Sequence, residues 1–132
     1  MSIKKKKGHS IAIIEDEASQ RKALSEKFAR EGFKVFEAKD GGEGLKLVLK
    51  ERPDIILLDI MMPDIDGLTM MKKLRNSNKW GKTVPVVLLT NLSADTDDII
   101  KRISEDEPSY YLLKANWSIG DVVDKVNERL SR

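Results

Sequence analysis

Residues 54–63 read Asp-Ile-Ile-Leu-Leu-Asp-Ile-Met-Met-Pro. From Ile55 to Leu58 every position is apolar, and an acid stands on either side. A strand with one wet face alternates polar and apolar residues. A short unbroken apolar run is instead the pattern of a strand covered on both faces. Three further runs share it: Ile11-Ala12-Ile13-Ile14, Val84-Pro85-Val86-Val87-Leu88-Leu89 and Tyr110-Tyr111-Leu112-Leu113. A fifth, Phe33-Lys34-Val35-Phe36, alternates and belongs at a sheet edge.

Between the runs lie five stretches with helical period and helix punctuation. Asp16 is placed to cap the first, which carries Leu24 and Phe28 at i and i+4 and stops at Gly32. Asp40 precedes the second, with Leu45, Val48 and Leu49 on one face and Pro53 ending it. The third starts near Gly67 with Leu68, Met71 and Leu74 as its stripe, and the fourth follows Ser93 with Ile99, Ile100 and Ile103. Ser118 and Asp121 form a capping box ahead of Ile119, Val122, Val123, Val126 and Leu130. Five strands alternating with five helices predict an α/β fold, a doubly wound parallel sheet with helices on both faces.

The chain has 132 residues, enough for one hydrophobic core, and is 40% hydrophobic and 35% charged, as soluble globular domains are. With no Cys and one His, a disulfide framework, a thiolate metal site and a multi-histidine zinc site are excluded. The formal net charge is +2, but Lys4 to Lys7 supply four positives, so the remaining chain carries −2. The basic character therefore belongs to the tail, and direct nucleic-acid binding is not expected. Residues 1–8 are expected to be a basic disordered tail, and residues 9–132 the folded domain. No apolar run reaches the roughly 20 residues of a membrane span or the 7–15 of a signal peptide, so a cytoplasmic protein without membrane contact is expected.

In open α/β sheets, ligands bind beyond the carboxyl ends of the strands. The residues there are Glu15 and Asp16, Asp59, Thr90 with Asn91, and Lys114. Three carboxylates, a hydroxyl and an ammonium thus converge from four strands. Clustered carboxylates repel unless a cation neutralises them, and Mg²⁺ suits oxygen ligands shared with water and phosphate. Asp59, from the middle of the sheet, is the best-placed nucleophile for forming an aspartyl phosphate, with the metal and Lys114 stabilising phosphoryl charge.

Four motifs in order at strand ends make the chain similar to the receiver domains of two-component response regulators: Ile13-Ile14-Glu15-Asp16-Glu17; Asp54 to Pro63 with Gly67; Pro85 to Thr90; and Tyr111 with Lys114. The expected sheet is flavodoxin-like, in strand order 2-1-3-4-5. The resemblance implies that Asp59 accepts a phosphoryl group from the phosphohistidine of a sensor histidine kinase or a histidine phosphotransfer protein. It implies that Asp16, Glu15, Asp59 and the Met61 backbone carbonyl hold Mg²⁺, directly or through water. Thr90 and Lys114 would contact the phosphoryl group. Thr90 and Tyr111 would form the switch, remodelling the face of the fourth predicted helix, fifth strand and fifth helix. The expected protein is not an enzyme, although it assists its own phosphorylation and dephosphorylation. As a stand-alone domain it would signal to a separate downstream protein, as a monomer or a weak phosphorylation-dependent dimer.

Three departures stand out. Ala115 follows Lys114 where the family usually has Pro, Asn91 replaces a small residue after the switch threonine, and Ser104 to Ser109 lacks the usual Gly-Ala-rich turn. Ala115 and Asn91 are the support for an alternative, a receiver-fold interaction module independent of phosphorylation. A haloacid dehalogenase-type phosphatase would need an Asp where Met61 stands, and a flavodoxin-like electron carrier would not place Glu15, Asp16 and Glu17 against a phosphate. Plainer roles compete residue by residue: Asp16 as a helix cap, Tyr111 and the methionines as core, and His9 as an exposed, inert side chain. Asp64 and Asp66 fail the spacing of a calcium loop and fit a turn instead. Trp80 and Trp117 have no assignable role. Met61 and Leu92 would flank the water that attacks the aspartyl phosphate, and neither can orient it, so slow self-dephosphorylation is expected.

Overall fold

The computed structural model describes residues 8–60, 67–89, 110–113 and 118–131, with 110–113 as backbone. Strands β1 (Ser10–Ile14), β2 (Lys34–Ala38), β3 (Ile55–Asp59), β4 (Val86–Leu89) and β5 (Tyr110–Leu113) form one parallel sheet. Their order is β2-β1-β3-β4-β5, so the doubly wound α/β fold has the expected flavodoxin-like topology. The chain runs outward from β1 to β2 and then returns past β1 to β3. That reversal opens a crevice at the carboxyl ends of β1 and β3.

The apolar runs are continuous because alternate residues serve two cores. Ala12, Ile14, Ile56, Leu58, Val86 and Leu88 face one layer, with Val48, Met70, Met71 and Leu74. Ile11, Ile13, Ile55, Leu57, Val87 and Leu89 face the other, with Leu24, Phe28, Val122, Val123 and Val126. The first layer is α2 (Gly41–Glu51), α3 (Gly67–Arg75) and α4 (Lys79–Thr83); the second is α1 (Ala18–Arg30) and α5 (Ile119–Leu130). Met70 and Met71 are fully buried and act as core filler. Strand β2 is the edge that its alternation predicts.

Helix ends follow the punctuation with one exception. Gly32 takes φ +96° after α1, Asp40 accepts the Glu43 amide at 2.7 Å to start α2, and Arg52 ends α2 at φ 47° just before Pro53. The Ser118–Asp121 capping box makes both of its hydrogen bonds, at 3.1 and 2.9 Å. The exception is α1. Its cap is Glu17, not Asp16, and the Glu17 carboxylate accepts the Ser19 amide at 2.9 Å. The helix starts one residue later than expected, which leaves the Asp16 carboxylate uninvolved in capping.

Helix α4 was not expected. Its five residues are too few to show a period, and it is held from outside itself. Asn78 caps it, and the buried Arg75 guanidinium donates to the carbonyls of Gly81 and Val84, each at 2.8 Å. Val84 then bonds back to Trp80, so β4 begins at Val86 rather than Val84. Trp80 packs half-buried against the α2–α3 core. His9 is also half-buried rather than exposed, because its carbonyl accepts the Lys34 amide and draws it against β2. The fourth predicted helix, Trp117 and residues 1–7 of the tail lie outside the described residues. Among the described residues, no helix is long and apolar enough to cross a membrane.

Candidate functional site

Strand β1 is buried from Ile11 to Ile14, and the burial continues one residue past its end to Glu15, which is 2% exposed. The backbone carries the loop outward in a fixed way. The Glu15 amide bonds to the Ala38 carbonyl of β2 at 3.1 Å, and its carbonyl accepts from the Arg21 guanidinium at 2.8 Å. Arg21 is itself tied to Glu37 of β2, 3.5 Å away. Asp16 follows as an exposed residue, and Glu17 closes the loop as the cap of α1.

Asp59 is the last residue of β3 and is partly exposed. It stands in register with Leu89 of β4, which pairs with Leu113 of β5, so three strands end level. Behind it the chain makes a close approach. The Gly67 amide donates to the Ile60 carbonyl at 2.9 Å, and a Cβ on Gly67 would lie 2.2 Å from the Asp59 carbonyl oxygen. Glycine is required there because α3 starts against the backbone of the residue that ends β3.

The result is a three-acid cluster. Carboxylate oxygens of Glu15, Asp16 and Asp59 all lie within 4.8 Å of one another. Two full negative charges at that distance repel by about 3.5 kcal/mol at an effective dielectric of about 20. Burial pushes the Glu15 carboxyl above the usual carboxylate range; hydrogen bonds from the Glu17 amide and Gln20, and a proton shared with Asp59, pull it back, and Asp16 adds to the rise. Glu17, at the rim, is held below that range by its Ser19 donors. Such a set, all oxygen and open on the Asp16 and Asp59 side, could hold a hard divalent cation with water completing its shell.

Of the residues singled out in the sequence, Glu15, Asp16 and Asp59 are brought together. Tyr111 lies on β5, its backbone paired with Val87. Met61, Thr90 and Lys114 lie outside the described residues, as do Asn91 and Ala115. Thr90 and Lys114 are the residues that follow Leu89 and Leu113 in the chain. Sequence reasoning passed over Gln20 and Arg21, which reach back from the first turns of α1 to Glu15. Neither residue type is distinctive at a helix start, so no pattern marked them.

The family model for the response regulator receiver domain matches residues 11–127. A transcriptional regulatory protein of Streptomyces coelicolor, AfsQ1, is 37% identical over 91 residues, covering 69% of this chain and 39% of that protein. The chain thus spans well under two thirds of this curated relative. Among solved structures, the receiver domain of the Francisella response regulator 1452 is 28% identical with a TM-score of 0.80, covering 95% of this chain and 98% of that one. The signal receiver domain of a signal transduction histidine kinase from Syntrophus aciditrophicus is 27% identical with a TM-score of 0.81, covering 94% and 91%.

Proposed function

The chain belongs to the response regulator receiver domain family, and from that premise we propose that it is a phosphorylation-dependent switch whose acceptor is Asp59. The observation that carries the reading is the meeting of the Glu15, Asp16 and Asp59 carboxylates within 4.8 Å at the carboxyl ends of β1 and β3. In an octahedron of 2.1 Å radius, adjacent ligand atoms are about 3 Å apart and opposite ones about 4.2 Å. All-oxygen donors gathered within 4.8 Å of one another, two of them open to solvent, fit Mg²⁺ once they close on the ion with water completing its shell.

Asp16 and Asp59, the two solvent-facing acids, would hold the ion directly, with the Met61 carbonyl as a further ligand and Glu15 acting through water. When bound, Mg²⁺ supplies charge neutralisation for the acids and for the phosphoryl oxygens. An Asp59 carboxylate oxygen attacks the phosphorus of a phosphohistidine, the P–N bond breaks, and the imidazole leaves with its electron pair and takes a proton. Thr90 and Lys114 would bind the phosphoryl oxygens, and Thr90 with Tyr111 would carry the change to the face that includes β5 and α5. The domain assists this transfer and the later hydrolysis of the aspartyl phosphate, in which water takes the phosphoryl group as inorganic phosphate, without being an enzyme in its own right.

The proposed donors are a sensor histidine kinase or a histidine phosphotransfer protein in the cytoplasm, and the reader is a downstream protein. Residues 9–132 act without direct contact to nucleic acid or membrane, as a monomer or a weak dimer formed on phosphorylation. The test is intact mass after incubation with acetyl phosphate. A gain of one phosphoryl group that requires Mg²⁺ and is lost in Asp59→Asn is expected. No gain in folded, Mg²⁺-binding protein would favour the phosphorylation-independent interaction module.

A further inference from the structure

Glu15 is the one member of the acid cluster that is buried, and both of its carboxylate oxygens already have protein donors. Oε2 accepts the Glu17 amide at 3.1 Å, and Oε1 accepts the side-chain amide of Gln20 in a short hydrogen bond. An ionised carboxylate offers only acceptors, so the Gln20 nitrogen must be the atom that faces it. The two donors come from one rigid source. Glu17 is the N-cap of α1, Gln20 lies in its first turn, and α1 is anchored by the fully buried Leu24 and Phe28. Arg21, the next residue, holds the Glu15 carbonyl at 2.8 Å. The backbone and the carboxylate of Glu15 are thus set by α1.

The Glu17 donor cannot be lost by changing a side chain, and the Gln20 donor can. We propose that Gln20 is a positioning residue that fixes the Glu15 carboxylate in the orientation from which it supports the cation held by Asp16 and Asp59. The inference rests on the metal reading above and deepens it. Without the Gln20 amide, Oε1 of Glu15 loses its amide donor and the carboxylate gains freedom about its terminal torsion, so the cation must order it on binding. Loss of a partner that orients a direct ligand typically weakens the metal by 10- to 100-fold; Glu15 reaches the ion through water, so the low end of that range is expected. The effect falls on affinity: once Mg²⁺ saturates the site, Asp59 and the phosphoryl donor meet the same surroundings.

The test is an amide NMR titration of the whole chain with MgCl₂, which reports both folding and the Mg²⁺ dissociation constant. Gln20→Met keeps the length and apolar stem of the side chain and removes the donor. Its Mg²⁺ dissociation constant should rise by about tenfold or more, while the phosphorylation rate by acetyl phosphate at saturating Mg²⁺ stays within about twofold of the unsubstituted chain. Gln20→Ala, which adds no apolar bulk beside the acids, should shift affinity in the same direction. In a Glu15→Gln background the Gln20→Met effect should fall below about twofold, because the carboxylate charge through which Gln20 acts is gone. An unchanged dissociation constant in both Gln20 variants, or the same loss in the Glu15→Gln background, overturns the assignment and leaves the metal reading standing. Absence of Mg²⁺ binding by the unsubstituted chain overturns the metal reading and this inference with it.

Discussion

Gly67→Ala sets two effects of known size against each other. In a helix, Ala is favoured over Gly by up to about 1 kcal/mol, so with free space the substitution would stabilise. At Gly67 the space is taken. The new Cβ would lie 2.2 Å from the Asp59 carbonyl oxygen, 2.8 Å from Ile60 Cα and 2.9 Å from the Asp59 carbonyl carbon, where ordinary contact begins at 3.4 Å. All three neighbours are backbone, so no rotamer change relieves the clash, and α3 and the end of β3 must part by about 1.2 Å. Forced repacking of this kind costs up to about 3 kcal/mol, leaving a net loss of about 2 kcal/mol. For a domain of this size that is a fall in Tm of roughly 8 °C. The displaced backbone carries Asp59, and a misplacement near 1 Å costs on the order of 100-fold in rate. Thermal unfolding followed by circular dichroism and phosphorylation by acetyl phosphate read the two effects. Gly120→Ala is the control: its Cβ meets only the Ser118 hydroxyl at 3.6 Å, so it should gain up to about 1 kcal/mol. Gly67→Ala protein as stable as its parent would show that the backbone of Asp59 and Ile60 does not bar a side chain there.

Glu15 gives a pH dependence. Its raised carboxyl pKa means that its contribution to the stability of the metal-free chain is complete below the ordinary carboxylate range and lost as pH rises through the folded value. On the proposed reading Mg²⁺ favours the ionised cluster, so the Mg²⁺-induced rise in Tm should grow as pH rises above the ordinary carboxylate range, and a constant rise would contradict it. Glu17→Ala should lower Tm and leave Mg²⁺ affinity unchanged, because Glu17 is the cap of α1. Asp16→Ala should weaken Mg²⁺ by at least about tenfold without lowering the Tm of the metal-free chain; titration calorimetry and thermal unfolding separate the two, and a shared phenotype would count against their distinct roles. Ser118→Ala removes one arm of the α5 capping box and should cost about 1 kcal/mol in urea unfolding, with no change in Mg²⁺ affinity. Met61→Asn supplies a group able to orient water and should speed decay of the phosphorylated form; an unchanged decay would remove Met61 from the hydrolytic path.

Much of the fold is legible because its signals are local. Ile55 to Leu58 can be apolar throughout only where a strand is covered on both sides, and Asp40, Gly32 and the Ser118–Asp121 pair mark helix ends by their own backbone chemistry. The acid cluster is legible once the strands are placed, because Glu15, Asp16 and Asp59 each follow or end an apolar run. What could not be read depends on contacts between distant segments. Asp16 and Glu17 are both suitable caps, and only the helix start, set by packing of Leu24 and Phe28, assigns the role to Glu17. Helix α4 exists because Arg75 reaches across to Gly81 and Val84. Gly67 is necessary because of where Asp59 lies, and Gln20 matters because the start of α1 turns it back onto Glu15.

The proposed role of Asp59 is that it alone among the three clustered acids takes the phosphoryl group. Borohydride reduces an acyl phosphate to an alcohol, so treating the acetyl phosphate-labelled chain and mapping its peptides by mass spectrometry marks the acceptor as homoserine. Homoserine at position 59, formed only when Mg²⁺ is present, is the predicted result. Reduction at Glu15 or Asp16, or labelling that persists without Mg²⁺, would contradict it.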